Sequence, residues 1–253
     1  MTKLTYGDGI AILQLLFYLP AVNLAAYLWF RDGFRPGSAA WRFATAFTSL
    51  RLTGAICTLV AINYYSSALA TTIIISQVVG TPPLTMAAIT LVDRINEHSR
   101  TVHPLLLKAV SFGALVPLAL GIYGADQSLD STGTKFTPSV YLKIAMAMFI
   151  ALYLILVTLT IVFGRKWTVY PFQADRTAIL AMALTIPSIG IKHVYAALSE
   201  YSTLPAFYLV GANPTAYLFM DVLMEFCTVI VLLGFGFKLG SAPKKHEVQE
   251  IRV

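Results

Sequence analysis

The chain has 253 residues, of which 57% are apolar and only 12% carry a formal charge, against roughly 25% charged in an ordinary soluble domain. Eighteen basic and 12 acidic side chains are too few to coat a protein of 27.6 kDa, and a mean hydropathy of +0.73 excludes disorder and fibrous folds. The net charge of +6 does not point to nucleic acid, because in so apolar a chain a basic excess collects in cytoplasmic loops. Cys57 and Cys227 both fall within apolar runs, which excludes a disulfide-stapled secreted domain.

Crossing a hydrocarbon core of about 30 Å takes about 20 apolar residues at ~1.5 Å each. Seven stretches qualify: residues 9–30, 41–64, 67–92, 104–123, 138–163, 177–201 and 214–237. The first follows Lys3 and Asp8 and is long enough to span alone, so it reads as a mature helix and not as a cleaved signal. The second carries Arg51 near its middle. The third is interrupted by Gly80, Thr81, Pro82 and Pro83, with Gln77 just ahead. Two prolines remove two ladder bonds, so this helix should kink or open as a cavity wall. With Pro117 and Pro187 adding milder kinks, a hollow-centred bundle is expected. Pro104, Pro138 and Pro214 stand where the fourth, fifth and seventh helices should begin. The sixth span carries Lys192 and His193, and the seventh Asp221 and Glu225. Because the runs are continuous and not alternating, the fold class is all-α: a polytopic membrane bundle of seven transmembrane helices over residues 1–237, with a tail at 238–253.

Loop charge orients the bundle. The first, third and fifth loops with their flanks hold Arg31, Arg35, Arg42, Arg94, Arg100, Arg165, Lys166 and Arg176, and the tail adds Lys238, Lys244, Lys245 and Arg252. The opposite side has Lys3 and Lys135, with Lys143 near a span end. The asymmetry predicts an N-terminus outside or lumenal and a cytosolic C-terminus, with Lys244 and Lys245 placed to meet anionic lipid.

Ionisable groups inside a bilayer are costly and mark candidate working residues. Counting depth from the span ends puts Arg51, Lys192, His193, Asp221 and Glu225 at comparable mid-depth, where they can meet. Asp221 and Glu225 are four apart and share one helix face with Tyr217 one turn earlier. Two acids and two bases sum to zero, and two readings follow. The quartet either staples the second, sixth and seventh helices, or it leaves one carboxylate unpaired and protonated as an acid or proton carrier. The sequence does not choose between the carboxylates. His193 points about 100° away from Lys192 and cannot share its partner. A retinal Schiff base is set aside because the lysine lies on the sixth span and not the seventh. No metal is expected: the spans hold no His-x3-His, Cys-x-x-Cys or Glu-x-x-His pair, and His98 and His103 sit at a loop and a helix edge. No cofactor is expected either. Trp29, Trp41 and Trp167 lie at span ends and read as interfacial anchors. Tyr64, Tyr65, Tyr195, Tyr201, Tyr208 and Tyr217 lie toward the outer mouth, where their rings suit a cation.

The strings TYGDG at 5–9, RLTGA at 51–55, GTPPL at 80–84 with DRIN at 93–96, IKHVY at 191–195 and MDVLME at 220–225 resemble a fungal family of seven-helix membrane proteins of unassigned activity. The likeness covers most of the chain. In layout it is more distantly similar to fungal lipid-translocating, drug-resistance-type seven-helix proteins, where arginine often stands at the place of Lys192. In size, plan and buried acids it is also similar to fungal membrane-bound terpene cyclases of meroterpenoid pathways. That similarity implies an isomerase-type cyclase that protonates a prenylated, epoxide-bearing substrate. No motif of those enzymes matches residue by residue, so the likeness carries over no catalytic positions.

The leading expectation from these features is a membrane-embedded cyclase or isomerase with Glu225 or Asp221 as general acid. Arg51, Lys192, His193, Gln77, Tyr195 and Tyr217 would tune that acid or hold a polar head group. The alternative is a lipid-translocating exporter or seven-helix sensor in which the same charges form a switchable network. Expected partners are a hydrophobic small molecule or lipid and the membrane itself, in the endoplasmic reticulum or another endomembrane, with the plasma membrane as the alternative.

Overall fold

The structure is a computed structural model describing residues 5–33, 38–64, 66–128, 136–167, 173–202, 204, 207 and 213–240. Lys3, Arg35, Tyr65, Lys135, Tyr208, Lys244, Lys245 and Arg252 lie outside the described residues, as do the side chains of Asp93 and His98.

Helix α1 covers Tyr6–Asp32 and α2 covers Ala39–Ala61. The third span is divided into α3, Ser67–Val79, and α4, Thr81–Ser99. The fourth divides at Ala114 into α5, Pro104–Gly113, and α6, Leu115–Asp126. Helices α7, Val140–Gly164, and α8, Gln173–Tyr201, are unbroken. The seventh span opens with α9, Pro214–Tyr217, passes through a π-helical segment, Leu218–Val222, and continues as α10, Leu223–Gly240. Among the described residues seven helical spans are long and apolar enough to cross a membrane, which makes the chain an integral membrane protein.

Local chemistry sets the helix starts. Thr5 caps α1 through a reciprocal pair, accepting from the Asp8 amide at 3.3 Å while its own amide donates to Asp8 Oδ2 at 2.7 Å. This capping box is what the TYGDG string encodes. Pro104 and Pro214 occupy first helical turns as expected. Pro138 instead precedes its helix, which starts at Val140 under a Ser139 cap, because the hydroxyl satisfies an orphan amide that proline cannot.

The expected hollow centre is absent. The 30-residue third span runs through the middle, with 67% of its most apolar window buried, and α4 touches α2, α7, α8 and α10. Gly80 keeps helical torsions (φ −64°, ψ −33°) at the interruption, and Pro82 and Pro83 fall in the first turn of α4, where missing amides cost little. Small residues then let neighbours close in. Ala87 and Ala88 are fully buried, and at Gly54 a Cβ would stand 2.0 Å from Ser76 Oγ, so α2 and α3 meet at backbone distance. Large apolar groups such as Leu16, Phe30, Phe112 and Val140 project outward, as they should where the surrounding solvent is hydrocarbon.

One end of the bundle is tied by polar contacts around Trp41. This residue was expected as an interfacial anchor but is buried. Its indole donates to Asp32 at 2.8 Å, Asp32 pairs with Arg31, and Arg31 donates to the Gly236 carbonyl at 2.9 Å. The first, second and seventh spans are thereby joined at the end that carries the first loop.

Candidate functional site

Three spans bring charge to one buried layer. Arg51 extends from the middle of α2, with its side chain 1% exposed, and its guanidinium lies against the backbone at Gly80. A Cβ at Gly80 would stand 3.0 Å from Arg51 Nε and 3.2 Å from Cζ. Glycine is therefore needed in GTPPL so that the arginine can pass the third span. Lys192 reaches the same layer from α8.

Asp221 and Glu225 come from the seventh span, and the π-helical turn Leu218–Val222 sets how they point. In an α-helix a four-residue spacing drifts around the axis at each step. The wider i→i+5 turn reduces that drift, so Tyr217, Asp221 and Glu225 all face inward. Such π-turns cost local stability and often accompany functional positions.

The two acids of the quartet are fully paired, while Arg51 Nε is buried without a hydrogen-bond partner. Arg51 donates from one terminal nitrogen to Asp221 Oδ2 at 3.0 Å and to Glu225 Oε1. Lys192 Nζ pairs with Asp221 Oδ1 and with Glu225 Oε1, the latter at 2.6 Å. Tyr18, buried on α1, donates to Glu225 Oε2 at 2.6 Å. Each carboxylate oxygen thus accepts from a cation or a hydroxyl, and no carboxylate of the quartet is left without a partner. Phe47 lies 6.0 Å below the guanidinium, and Tyr18 packs edge-on to Phe47 and Phe226 at 5.8 Å and 5.5 Å. This aromatic floor excludes water from one side of the ion pairs, where the low dielectric strengthens them.

Two small clefts flank the layer toward the end of the bundle that carries the N-terminus. The larger has about 30 Å³ of interior space and is lined by Gln77, Tyr195, Ser199, Glu200, Tyr217 and Asp221 among others. The smaller, about 10 Å³, is lined by Gln14, Arg51, Thr58, Ser76, Gln77 and Tyr217. Between them they have room for a few waters. Gln77 and Tyr217 line both, and Gln14 Nε2 donates to the Tyr217 hydroxyl at 3.2 Å.

The structure therefore gathers Arg51, Lys192, Asp221 and Glu225 as a unit and puts Gln77, Tyr195 and Tyr217 beside it. His193 stands apart. It faces α7, where its ring stacks on Tyr153 at 5.1 Å, and its Nδ1 lies 2.8 Å from the Ile189 carbonyl. Of the mouth tyrosines, Tyr195 and Tyr217 approach to 6.3 Å. Tyr201 instead donates to the Lys143 carbonyl, and Tyr64 is exposed.

Three contributors were missed from the sequence. Gln14 and Tyr18 are four apart within the apolar run 9–22 of α1, a polar stripe that identifies an inward face. Glu200 lies one residue from the end of the sixth span, yet it is 8% exposed, and its Oε2 is buried without a hydrogen-bond partner. Among the described residues no group of three or more metal-ligating side chains occurs.

No curated protein and no solved structure matches the chain. A family model described as a domain of unknown function, DUF7702, matches residues 4–242, so the chain belongs to the DUF7702 family.

Proposed function

We propose that the protein is a ligand-operated seven-helix membrane switch, of the translocator or sensor kind, in which the quartet is the latch between the second, sixth and seventh spans. The observation that carries this reading is the complete pairing of Asp221 and Glu225 by Arg51, Lys192 and Tyr18. A charge-balanced network in low dielectric whose acids are all paired is stable as a whole and costly when half made. It therefore has two states and not a continuum, and a polar group entering the adjoining cleft can compete for Asp221, which lines it. The loop-charge asymmetry supports an outer or lumenal position for the clefts.

The acid-catalysed cyclase reading draws support from one feature, an acid that lines a cleft together with Tyr195, Tyr217 and Phe149. Two features carry it less far. A cleft of about 30 Å³ is small against the ~300–1,000 Å³ of sites that hold drug-sized ligands. In addition, both acids accept from cations, the arrangement of carboxylates and not of proton donors.

The latch reading is tested by water access. Thr58 lines the smaller cleft, so Thr58→Cys in a Cys57→Ala, Cys227→Ala background, labelled with a membrane-impermeant maleimide, reports opening. Lys192→Met, which leaves the layer one positive charge short, is expected to raise the labelling rate by about tenfold or more, a shift of ~1.4 kcal/mol in the opening equilibrium. Labelling at the parent rate in Lys192→Met and also in Asp221→Asn would sink the latch.

A further inference from the structure

Glu200 is a buried ionisable group that the latch does not use. It sits on the last turn of α8, lines the larger cleft, and has one oxygen buried with no hydrogen-bond partner. Lys143, on α7, lies in its field, but among the described residues Glu200 makes no ion pair. A carboxylate held this deep and left open on one side needs a positive partner to complete it.

The rest of the cleft supplies the other half of a cation site. Asp221 presents a second carboxylate, and the hydroxyls of Tyr195, Tyr217 and Ser199 and the amide of Gln77 offer further acceptors. Ser199 Oγ already donates its proton to the Ala196 carbonyl at 2.8 Å, so toward the cleft it can only accept. Size then narrows the guest. About 30 Å³ suits a small guest on the scale of two or three waters. A primary ammonium is of that scale and carries three donors for these acceptors, whereas a trimethylammonium group is bulkier and carries none.

We propose that this cleft binds a primary ammonium group, with Glu200 as its counter-ion and Asp221 as its second acceptor. The inference rests on the ligand-operated reading above and names its ligand chemistry. Charge balance is the reason the two sites communicate: with Glu200 ionised, a single positive charge in the cleft returns the whole buried layer to neutrality. In reaching Asp221 that charge competes directly with Lys192, which pairs with the same carboxylate. The ammonium can arrive as a free small amine or as the head of a long-chain amine delivered from the bilayer. The recognition chemistry is the same for both.

The test uses the full chain in phosphatidylcholine nanodiscs and reads its thermal unfolding midpoint with four probes: ethanolamine, octadecylamine, octadecanol and octadecyltrimethylammonium. Octadecylamine, ethanolamine or both should raise the midpoint by about 5 °C at saturation. Octadecanol and the trimethylammonium amphiphile should leave it unchanged. A shift with octadecylamine alone assigns the ligand to the lipid phase, and a shift with ethanolamine assigns it to water. Glu200→Gln, which keeps the shape and removes the charge, should abolish the shift, and Glu200→Asp should retain part of it. If Glu200→Gln fails to fold, the amine–alcohol contrast in the parent and in Glu200→Asp still decides. A shift equal for amine and alcohol, a shift retained in Glu200→Gln, or no shift with either amine overturns the proposal. The last result would mean that a proton neutralises Glu200. Maleimide access at Thr58→Cys in the latch variants is measured without amine, so it fails or succeeds independently of this assignment.

Discussion

Arg51→Met removes the one group that ties both acids of the quartet to the second span. Arg51 and Glu225 side chains are 1% and 0% exposed, so the methionine leaves two carboxylates facing a single Lys192 with no water to absorb the difference. Removing one partner of a buried pair costs about 3–5 kcal/mol, and an isolated charge at mid-depth costs at least ~2.5 kcal/mol on insertion scales. The variant should therefore lose about 3 kcal/mol or more, better than a hundredfold in the folded population. Arg51→Met combined with Glu225→Gln restores neutrality and keeps the Lys192–Asp221 pair. Glu225→Gln alone should also cost about 3 kcal/mol, yet the double variant should lose only about 1–2 kcal/mol, well short of the sum of the two single losses. The assay is reversible unfolding of purified protein in mixed micelles, comparing parent, both single variants and the double. Additive losses in the double variant would show that the charges do not act as a unit and would refute the network as described.

Other substitutions probe the geometry around it. Gly80→Ala puts a Cβ 3.0 Å from Arg51 Nε and should cost about 1–3 kcal/mol in the same unfolding assay; Gly113→Ala, with nothing within 4 Å, should be neutral or slightly stabilising. Gly54→Ala collides with Ser76 and should reduce folded yield on size-exclusion chromatography, with recovery on adding Ser76→Gly. Tyr18→Phe deletes the 2.6 Å donor to Glu225 and should destabilise by about 1–2 kcal/mol, whereas His193→Gln should leave Thr58→Cys labelling at the parent rate. Microsomes bearing the parent protein should form no new product from epoxyfarnesyl aromatics. A product lost in Glu225→Gln would instead establish the cyclase.

The spans were legible because membrane crossing is a matter of run length, which a linear count reads directly. The quartet was legible for a related reason. Charges in a bilayer are so few that depth alone brought Arg51, Lys192, Asp221 and Glu225 together; the 100° offset separated His193 from the partner of Lys192 but left it a candidate for the site, and the structure turns it toward Tyr153 on α7 instead. What the sequence hid depends on contact. MDVLME reads as ordinary helix, and nothing in it announces a π-turn at Leu218–Val222. The prolines of the third span suggested an open centre, yet Gly80, Ala87 and Ala88 let neighbours pack against it. Glu200 was passed over because a charge at a span end usually meets water, and only the packing of α7 and α8 around it shows that it does not.

The central claim is that the quartet holds the N-terminal-side half of the bundle shut, and a distance measurement tests it most directly. Spin labels at Tyr64→Cys, just beyond α2, and Thr215→Cys, at the start of the seventh span, occupy exposed positions and straddle the latch in a background of Cys57→Ala and Cys227→Ala. Pulsed dipolar spectroscopy in nanodiscs should give one narrow distance population in the parent and a second, longer population in Lys192→Met and in Asp221→Asn. Superimposable distributions in all three proteins would contradict the latch and return the quartet to the role of a static staple.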